Sequence, residues 1–224
     1  MSHDTPPTTA VLTGDLVGST QAGSAIVDRA METLEQSAQE IAGWFPGPDT
    51  RFTRYRGDGW QIIVTPPHIC LRAALFLTAK LKAARVPLTT RISIGIGTVD
   101  YPGKGRLLSD ASGSAFESSG RGLDSMLRGR ELALDGQGIG QLDKSLTLLL
   151  AIIARRWTAE QAEALAYDLE PSHQWTQSEI SLQFGISAQA VNYRLNGANA
   201  LDLRLALAGW EGDFQVRETQ RQNK

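Results

Sequence analysis

The sequence has few of the residues that define several common classes of protein. Its 224 residues include three histidines and one cysteine, Cys70. A single cysteine cannot form a disulfide within the chain, so we expect a protein of the reducing cytoplasm. The formal net charge of -2 argues against a generally basic coat for nucleic acid, and any contact with DNA needs a local patch. The longest apolar run, 146–154, is too short to span a bilayer, and we expect no membrane partner.

Two segments of different texture follow one another along the chain. Over 8–135, short strand-like runs alternate with longer helical stretches in the order β-α-β-β-α-β, which is typical of the split ferredoxin-like arrangement. Over 141–210 the pattern is helical throughout, and the polar residues 211–224 are expected to form a flexible tail. The sequence therefore predicts an α+β ferredoxin-like domain followed by a small all-α helix-turn-helix domain.

Apolar periodicity and turn residues predict the elements of the first segment. A buried strand is expected at 9–13, and an amphipathic helix at Ser24–Ala42. The runs 51–55 and 60–65 flank a glycine-rich turn that contains Arg56, and this arrangement predicts a β-hairpin. Strict alternation over 91–98 predicts a half-buried strand.

Two aspartates in glycine-rich turns form the first candidate site. Asp15 is expected at the end of the first strand, and Asp58 lies at the tip of the hairpin. If the two strands are neighbours, the carboxylates converge and repel strongly unless they share divalent cations. The turn after the first strand is expected to present backbone N–H groups and an N-cap to a phosphate, through Gly18, Ser19 and Thr20. Each aspartate taken alone is also explained by ordinary hairpin or helix-capping chemistry.

The order of these motifs resembles the class III adenylate and guanylate cyclases. That family places one metal-binding aspartate in a strand-turn-helix similar to 15–20 and a second in a Gly-Asp hairpin similar to 57–58. Its next core strand is similar to 91–97. The family then carries an Asp, a Gly three residues later, an apolar residue, an Asn, and an Arg four residues after the Asn. The positions that match this spacing are Asp110, Gly113, Phe116, Glu117 and Arg121.

The resemblance implies a particular site and assembly. It implies two Mg²⁺ or Mn²⁺ ions, a nucleoside triphosphate as ligand, and a homodimer in which each site takes residues from both subunits. The metal ligands that it implies are Asp15, Leu16 and Asp58. For the base it implies Arg54 and Asp110, and for the transferring phosphate it implies Arg121 and the residue at the Asn position, Glu117.

Two of these positions depart from the family. Glu117 stands where the family has Asn, and an ionised carboxylate cannot donate a hydrogen bond and repels a triphosphate. Arg54 stands where the family has Lys, which keeps the charge but changes the geometry of contact with the base. Glu117 and Arg121 are also four residues apart on a predicted helix, where a surface ion pair is the alternative interpretation.

The second candidate site is a helix-turn-helix over 175–195. Gly185 is expected to form the turn, and Thr176 or Ser178 to cap the first helix. The residues left for solvent or for the major groove of DNA are Gln189, Asn192, Tyr193, Arg194 and Asn196. Five Lys or Arg balance five Asp or Glu over 175–224, which gives poor electrostatic support for phosphate binding. A helical module that contacts protein is therefore the alternative.

The chain as a whole resembles the SatD family of small bacterial proteins, which pair a similar Gly-Asp motif with a C-terminal helix-turn-helix. Three functions are compatible with these features. The first is a metal-dependent nucleotide-binding regulator coupled to a DNA-binding helix-turn-helix. The second is an active cyclase that makes a cyclic nucleotide from a nucleoside triphosphate, and the third is a non-catalytic protein-interaction module.

Overall fold

The structure is a computed structural model and describes residues 8–45, 51–55, 57–105 and 107–222. In this part of the chain, a five-stranded mixed sheet and several helices form an α+β fold. The strands are β1 (Thr9–Val17), β2 (Phe52–Tyr55), β3 (Gly59–Val64), β4 (Thr89–Gly97) and β5 (Leu132–Gly136). The helices are α1 (Ser19–Ala22), α2 (Ser24–Ala42), α3 (Cys70–Ala83), α4 (Ser114–Asp124), α5 (Gln141–Arg155), α6 (Ala159–Leu169), α7 (Gln177–Phe184), α8 (Ala188–Gly197) and α9 (Ala200–Gln222).

The strand order is β2-β3-β1-β4-β5, with β1 at the centre. The β4–β5 pair is parallel and the other pairs are antiparallel. The predicted hairpin is confirmed as β2 and β3, although Arg56 of its turn lies outside the described residues. The predicted helix at Ser24–Ala42 is confirmed, whereas the first strand extends four residues beyond the predicted end at Thr13.

Helices cover both faces of the sheet. Alternate residues of β1, such as Leu12, pack with α2 and α3 in the main core, while Val11 belongs to a smaller cluster with Ala115 and Phe116 of α4. The prediction of a half-buried β4 is therefore wrong, because α4 buries its second face from Ile92 to Gly97. The contact is close: a Cβ at Gly95 would lie 2.2 Å from the carbonyl oxygen of Ala115.

The helical segment packs directly on the α+β segment. Helix α3 contacts α2 on one side and α5 and α6 on another, and ten of its fourteen residues are buried. Apolar residues from β1 to α9 belong to one continuous core. The two segments therefore share the apolar surface that stabilises them.

The expectation of a flexible tail over 211–224 is wrong for 211–222, which continue helix α9. Phe214 is buried, and Arg217 donates to both carboxylate oxygens of Asp143 in α5. Glu211 accepts two hydrogen bonds from Arg72 of α3. The sequence over 211–222 has little apolar periodicity, so it did not predict a helix. This part of α9 is held in place by ion pairs with residues that are distant in sequence. Residues 223 and 224 lie outside the described part.

Across the described residues, no helix combines the length and apolar character needed to cross a membrane.

The contact between α5 and α9 gives a testable prediction about stability. Burial alone would raise the pKa of the Asp143 carboxyl, but hydrogen bonds from Arg217, the Gly140 N–H and Trp210 outweigh it and hold the pKa below its ordinary value. A depressed pKa stabilises the fold above the unfolded-state value, near pH 4, and this contribution is lost as the pH falls through the folded-state value. We expect Asp143→Asn to lower the free energy of unfolding by about 3 kcal/mol at pH 7 and to weaken its acid dependence.

The matched control is Asp135→Asn. Asp135 lies in β5 and forms an exposed ion pair with Lys144, which is next to Asp143 in helix α5. That change should cost less than about 1 kcal/mol in urea unfolding at pH 7. Equal losses in the two variants would show that the C-terminal half of α9 is not docked.

Candidate functional site

The pairing of β1 with β3 brings the two predicted aspartates to adjacent positions. Asp15 is opposite Gly59 in the register, and the N–H of Leu16 donates to the carbonyl oxygen of Asp58 at 3.1 Å. Asp15 lies inside β1 rather than at its end, because the strand continues to Val17. The condition set by the sequence, that the two strands be neighbours, is met.

The carboxylate of Asp15 is held by Arg91, which sequence reasoning missed. Arg91 lies opposite Asp15 in the β1–β4 register; its Nε donates to Oδ1 at 2.8 Å and its Nη2 to Oδ2. These hydrogen bonds, with the nearby charges of Asp15 and Asp58, outweigh burial and raise the pKa of the Arg91 guanidinium. The sequence shows that a charged residue, Arg91, begins the alternating run 91–98. It does not show that Arg91 lies opposite Asp15, because that depends on the pairing of β1 with β4.

The carboxylate of Asp58 has a different neighbour and faces a cleft. Its Oδ2 accepts a hydrogen bond from the Ser19 hydroxyl at 2.5 Å. A cleft of about 440 Å³ lies beside it, open to solvent. The residues that line the cleft are Ser19, Thr20, Gly23, Ser24, Val27, Arg54, Gly57 and Asp58. Asp15 is not among them, since its carboxylate is turned to Arg91.

Arg54 is positioned at the same cleft by contacts within the chain. Its Nη1 donates to Oδ1 of Asp28 in α2 at 2.7 Å, and its Nε donates to the carbonyl oxygen of Gly57. The Arg54 side chain stays partly exposed, so its guanidinium can also contact an anion in the cleft. The resemblance predicted that Arg54 belongs to the nucleotide site, but the sequence did not identify Asp28 as its partner.

The turn after β1 differs from its prediction in one respect. Gly18, in the left-handed region at φ 89°, is the residue before α1, and no side chain caps that helix. The Ser19 hydroxyl binds Asp58 instead of an N–H group. A phosphate in the cleft would therefore meet Ser19 and Thr20 beside a carboxylate, and needs a compensating positive charge.

The donor atoms suit one divalent ion better than two. Carboxylate and hydroxyl oxygens, as on Asp58 and Ser19, are ligands that Mg²⁺ and Mn²⁺ prefer. Both oxygens of Asp15 accept from Arg91, and Leu16 offers only its backbone carbonyl, because a leucine side chain has no atom that can ligate a metal. Among the described residues, no three His, Cys, Asp or Glu side chains are grouped to hold a metal.

The remaining predicted residues lie elsewhere on the same chain. Asp110 is in the loop between β4 and α4, near the N–H of Lys104. Arg51 anchors that loop at the end of β2 opposite to the hairpin tip.

Glu117 and Arg121 are exposed on α4. Within the described part of the chain, no ion pair joins these two residues. One chain does not bring these two residues or Asp110 to Asp58.

The predicted turn at Gly185 lies between two short helices, α7 and α8. Gly185 is in the left-handed conformation at φ 63° and ends α7, and Ser187 caps α8 through a hydrogen bond from the Ala190 N–H. Thr176, rather than Ser178, caps α7, in a reciprocal arrangement with Glu179. Helix α8 packs on α6 and α7.

Two of the five residues proposed for DNA contact are used within the protein. The guanidinium of Arg194 donates to Glu163 of α6 at 2.9 Å and lies over the ring of Phe184, which leaves 22% of the side chain exposed. Asn192 accepts a hydrogen bond from Gln177 of α7. The expectation that Arg194 is freely exposed is wrong, because its long side chain reaches back to α6. Of the five residues, Gln189, Tyr193 and Asn196 remain exposed on α8.

In comparisons with known proteins, the chain matches no protein-family model and no curated protein.

Proposed function

We propose that this protein is a nucleotide-binding regulator, in which a cyclase-like domain binds a nucleoside triphosphate with a divalent ion and is coupled to a DNA-binding helix-turn-helix. The observation that carries the proposal is the pairing of β1 and β3, which sets Asp15 next to Asp58, and Asp58 lines a cleft together with Arg54. A carboxylate for a cation and a guanidinium for an anion are the groups that a metal–triphosphate complex requires.

The topology supports a cyclase-like assignment of the α+β segment. The elements β1, α2, β2, β3, α3 and β4 follow the order β-α-β-β-α-β, and the strand order β2-β3-β1-β4 is that of a ferredoxin-like sheet. Helix α4 and strand β5 extend this unit by one parallel strand. We therefore assign residues 8–135 to a ferredoxin-like, cyclase-like domain.

Packing offers a physical connection between the cleft and the helix-turn-helix. Helix α2 begins at the cleft and packs on α3, and α3 packs on α6. Helix α6 in turn contacts α8, including the ion pair of Glu163 with Arg194. A shift of α2 on nucleotide binding would reach α8 through three successive helix–helix contacts, which is the basis for proposing regulation.

The nucleotide proposal is tested with Asp58→Asn and a fluorescent nucleoside triphosphate. With Mn²⁺ present, we expect the variant to bind about tenfold more weakly, because it loses a carboxylate ligand of the ion. In EDTA we expect the order to reverse, because the wild-type carboxylate then repels the phosphates. Fluorescence anisotropy at fixed ionic strength measures both. Asp100→Asn, in the exposed loop after β4, is the control and should leave both affinities unchanged; identical affinities for Asp58→Asn would contradict the proposal.

The DNA proposal predicts different effects for neighbouring residues of α8. Tyr193 has 80% of its surface exposed, so Tyr193→Ala should weaken binding to a selected DNA site about tenfold without changing stability. Arg194→Ala should lower the free energy of unfolding by about 1 kcal/mol, because it removes the ion pair with Glu163 and the contact with Phe184. Selection from random DNA, then titration and urea unfolding, measures these effects. The control is Tyr101→Ala, which should leave the affinity for DNA unchanged. If Tyr193→Ala also leaves this affinity unchanged, or if the selection enriches no sequence, the protein-contact alternative is favoured.

An active cyclase is the second candidate, favoured by the exposure of Arg121 on α4, although Glu117 one turn earlier on the same helix would repel the triphosphate. A second copy of the chain would have to bring Arg121 to the cleft. We expect a homodimer by light scattering with nucleotide and Mn²⁺, and loss of any cyclic product in Arg121→Ala. A monomeric mass at high concentration, or product formation that Arg121→Ala leaves intact, would contradict this arrangement.

A further inference from the structure

Arg91 provides a positive charge at the place where the sequence predicts a metal ion. The argument for two ions rests on repulsion between Asp15 and Asp58. In the structure the guanidinium donates to both oxygens of Asp15 from the neighbouring strand. A bidentate guanidinium–carboxylate pair is among the strongest charge-assisted contacts in proteins, so it relieves this repulsion without an ion.

The pair is placed by the sheet and not by chance contact of mobile side chains. Asp15 and Arg91 are directly opposed in the β1–β4 register and lie on the same face of the sheet. Only 26% of the Asp15 side chain and 32% of the Arg91 side chain are exposed. Both backbones are fixed within strands, so forming the pair orders only side-chain torsions. A divalent ion at Asp15 would have to displace Arg91, which the strand register places beside the carboxylate.

We infer that Arg91 is a built-in cation that takes the place of one of two divalent ions at Asp15, so that the site binds its nucleotide with a single ion at Asp58. This inference rests on the proposed function and defines the metal requirement of that site. Asp58 is the available position because its carboxylate lines the cleft and, among the described residues, its side-chain hydrogen bond comes from the neutral hydroxyl of Ser19. Arg91 and the ion would together carry three positive charges, against four for two divalent ions.

The test counts bound Mn²⁺ by electron paramagnetic resonance in the intact protein, with and without a non-hydrolysable triphosphate. We expect one Mn²⁺ per chain with nucleotide in the wild type and two in Arg91→Gln, because the variant frees both oxygens of Asp15. Without nucleotide, Arg91→Gln should bind Mn²⁺ at least tenfold more tightly than the wild type. Arg91→Lys should keep one ion, since the ammonium preserves the charge beside Asp15.

The control is Arg85→Gln, which removes an arginine paired with Glu160 at 2.7 Å on the helical side of the protein. It should leave Mn²⁺ binding unchanged. Thermal unfolding of each variant checks folding, and Arg91→Lys keeps the test valid if Arg91→Gln unfolds. Two ions in the wild type, or one in a folded Arg91→Gln, would overturn the inference.

Nucleotide binding is measured separately, so the two proposals can fail independently. If no triphosphate binds to any variant, the proposed function is wrong, and the nucleotide-free Mn²⁺ affinities still decide the role of Arg91. Equal nucleotide-free affinities in the wild type and Arg91→Gln would overturn that role whatever the nucleotide result.

Discussion

The antiparallel pairing of β1 with both of its neighbours is the constraint on which the site depends. One register places Asp15 beside the hairpin tip that carries Asp58, and the other places it opposite Arg91. A shift of one residue in either pair would turn Asp15 to the other face of the sheet, into the core of α2 and α3. The apolar alternation of β1 makes such a shift costly, so the residues that stabilise the fold also fix the charges of the site.

Features set by local sequence were predicted well. The helix Ser24–Ala42 has a clear amphipathic period and glycines near both ends, and its bounds are those of the structure. The hairpin and the turn at Gly185 were predicted because few residues other than glycine adopt the conformations they need. The candidate cleft could also be predicted in part, since Ser19, Thr20, Arg54 and Asp58 all line it.

Features set by distant partners could not be predicted from the same signals. The hydrogen bonds of Arg91 to Asp15, of Arg194 to Glu163 and of Arg217 to Asp143 each join residues more than thirty positions apart. A charged side chain gives no periodic signal, and whether it faces solvent or a buried carboxylate depends on the packing of whole elements. The prediction of a half-buried β4 failed for the same reason. Helix α4 covers the face of β4 that the alternating pattern alone would leave exposed to solvent.

The burial of α3 has a consequence for how the chain is made. Ten of its fourteen residues are covered, by the sheet and α2 on one side and by α5 and α6 on another. During synthesis α3 leaves the ribosome well before α6, so for that interval a broad apolar surface has no partner in the nascent chain. Such surfaces attract chaperones and promote association between incomplete chains. A gene fragment that encodes residues 8–135 alone would leave the surface of α3 that α5 and α6 cover exposed to solvent, so we expect the α+β segment to fold poorly without the helical segment.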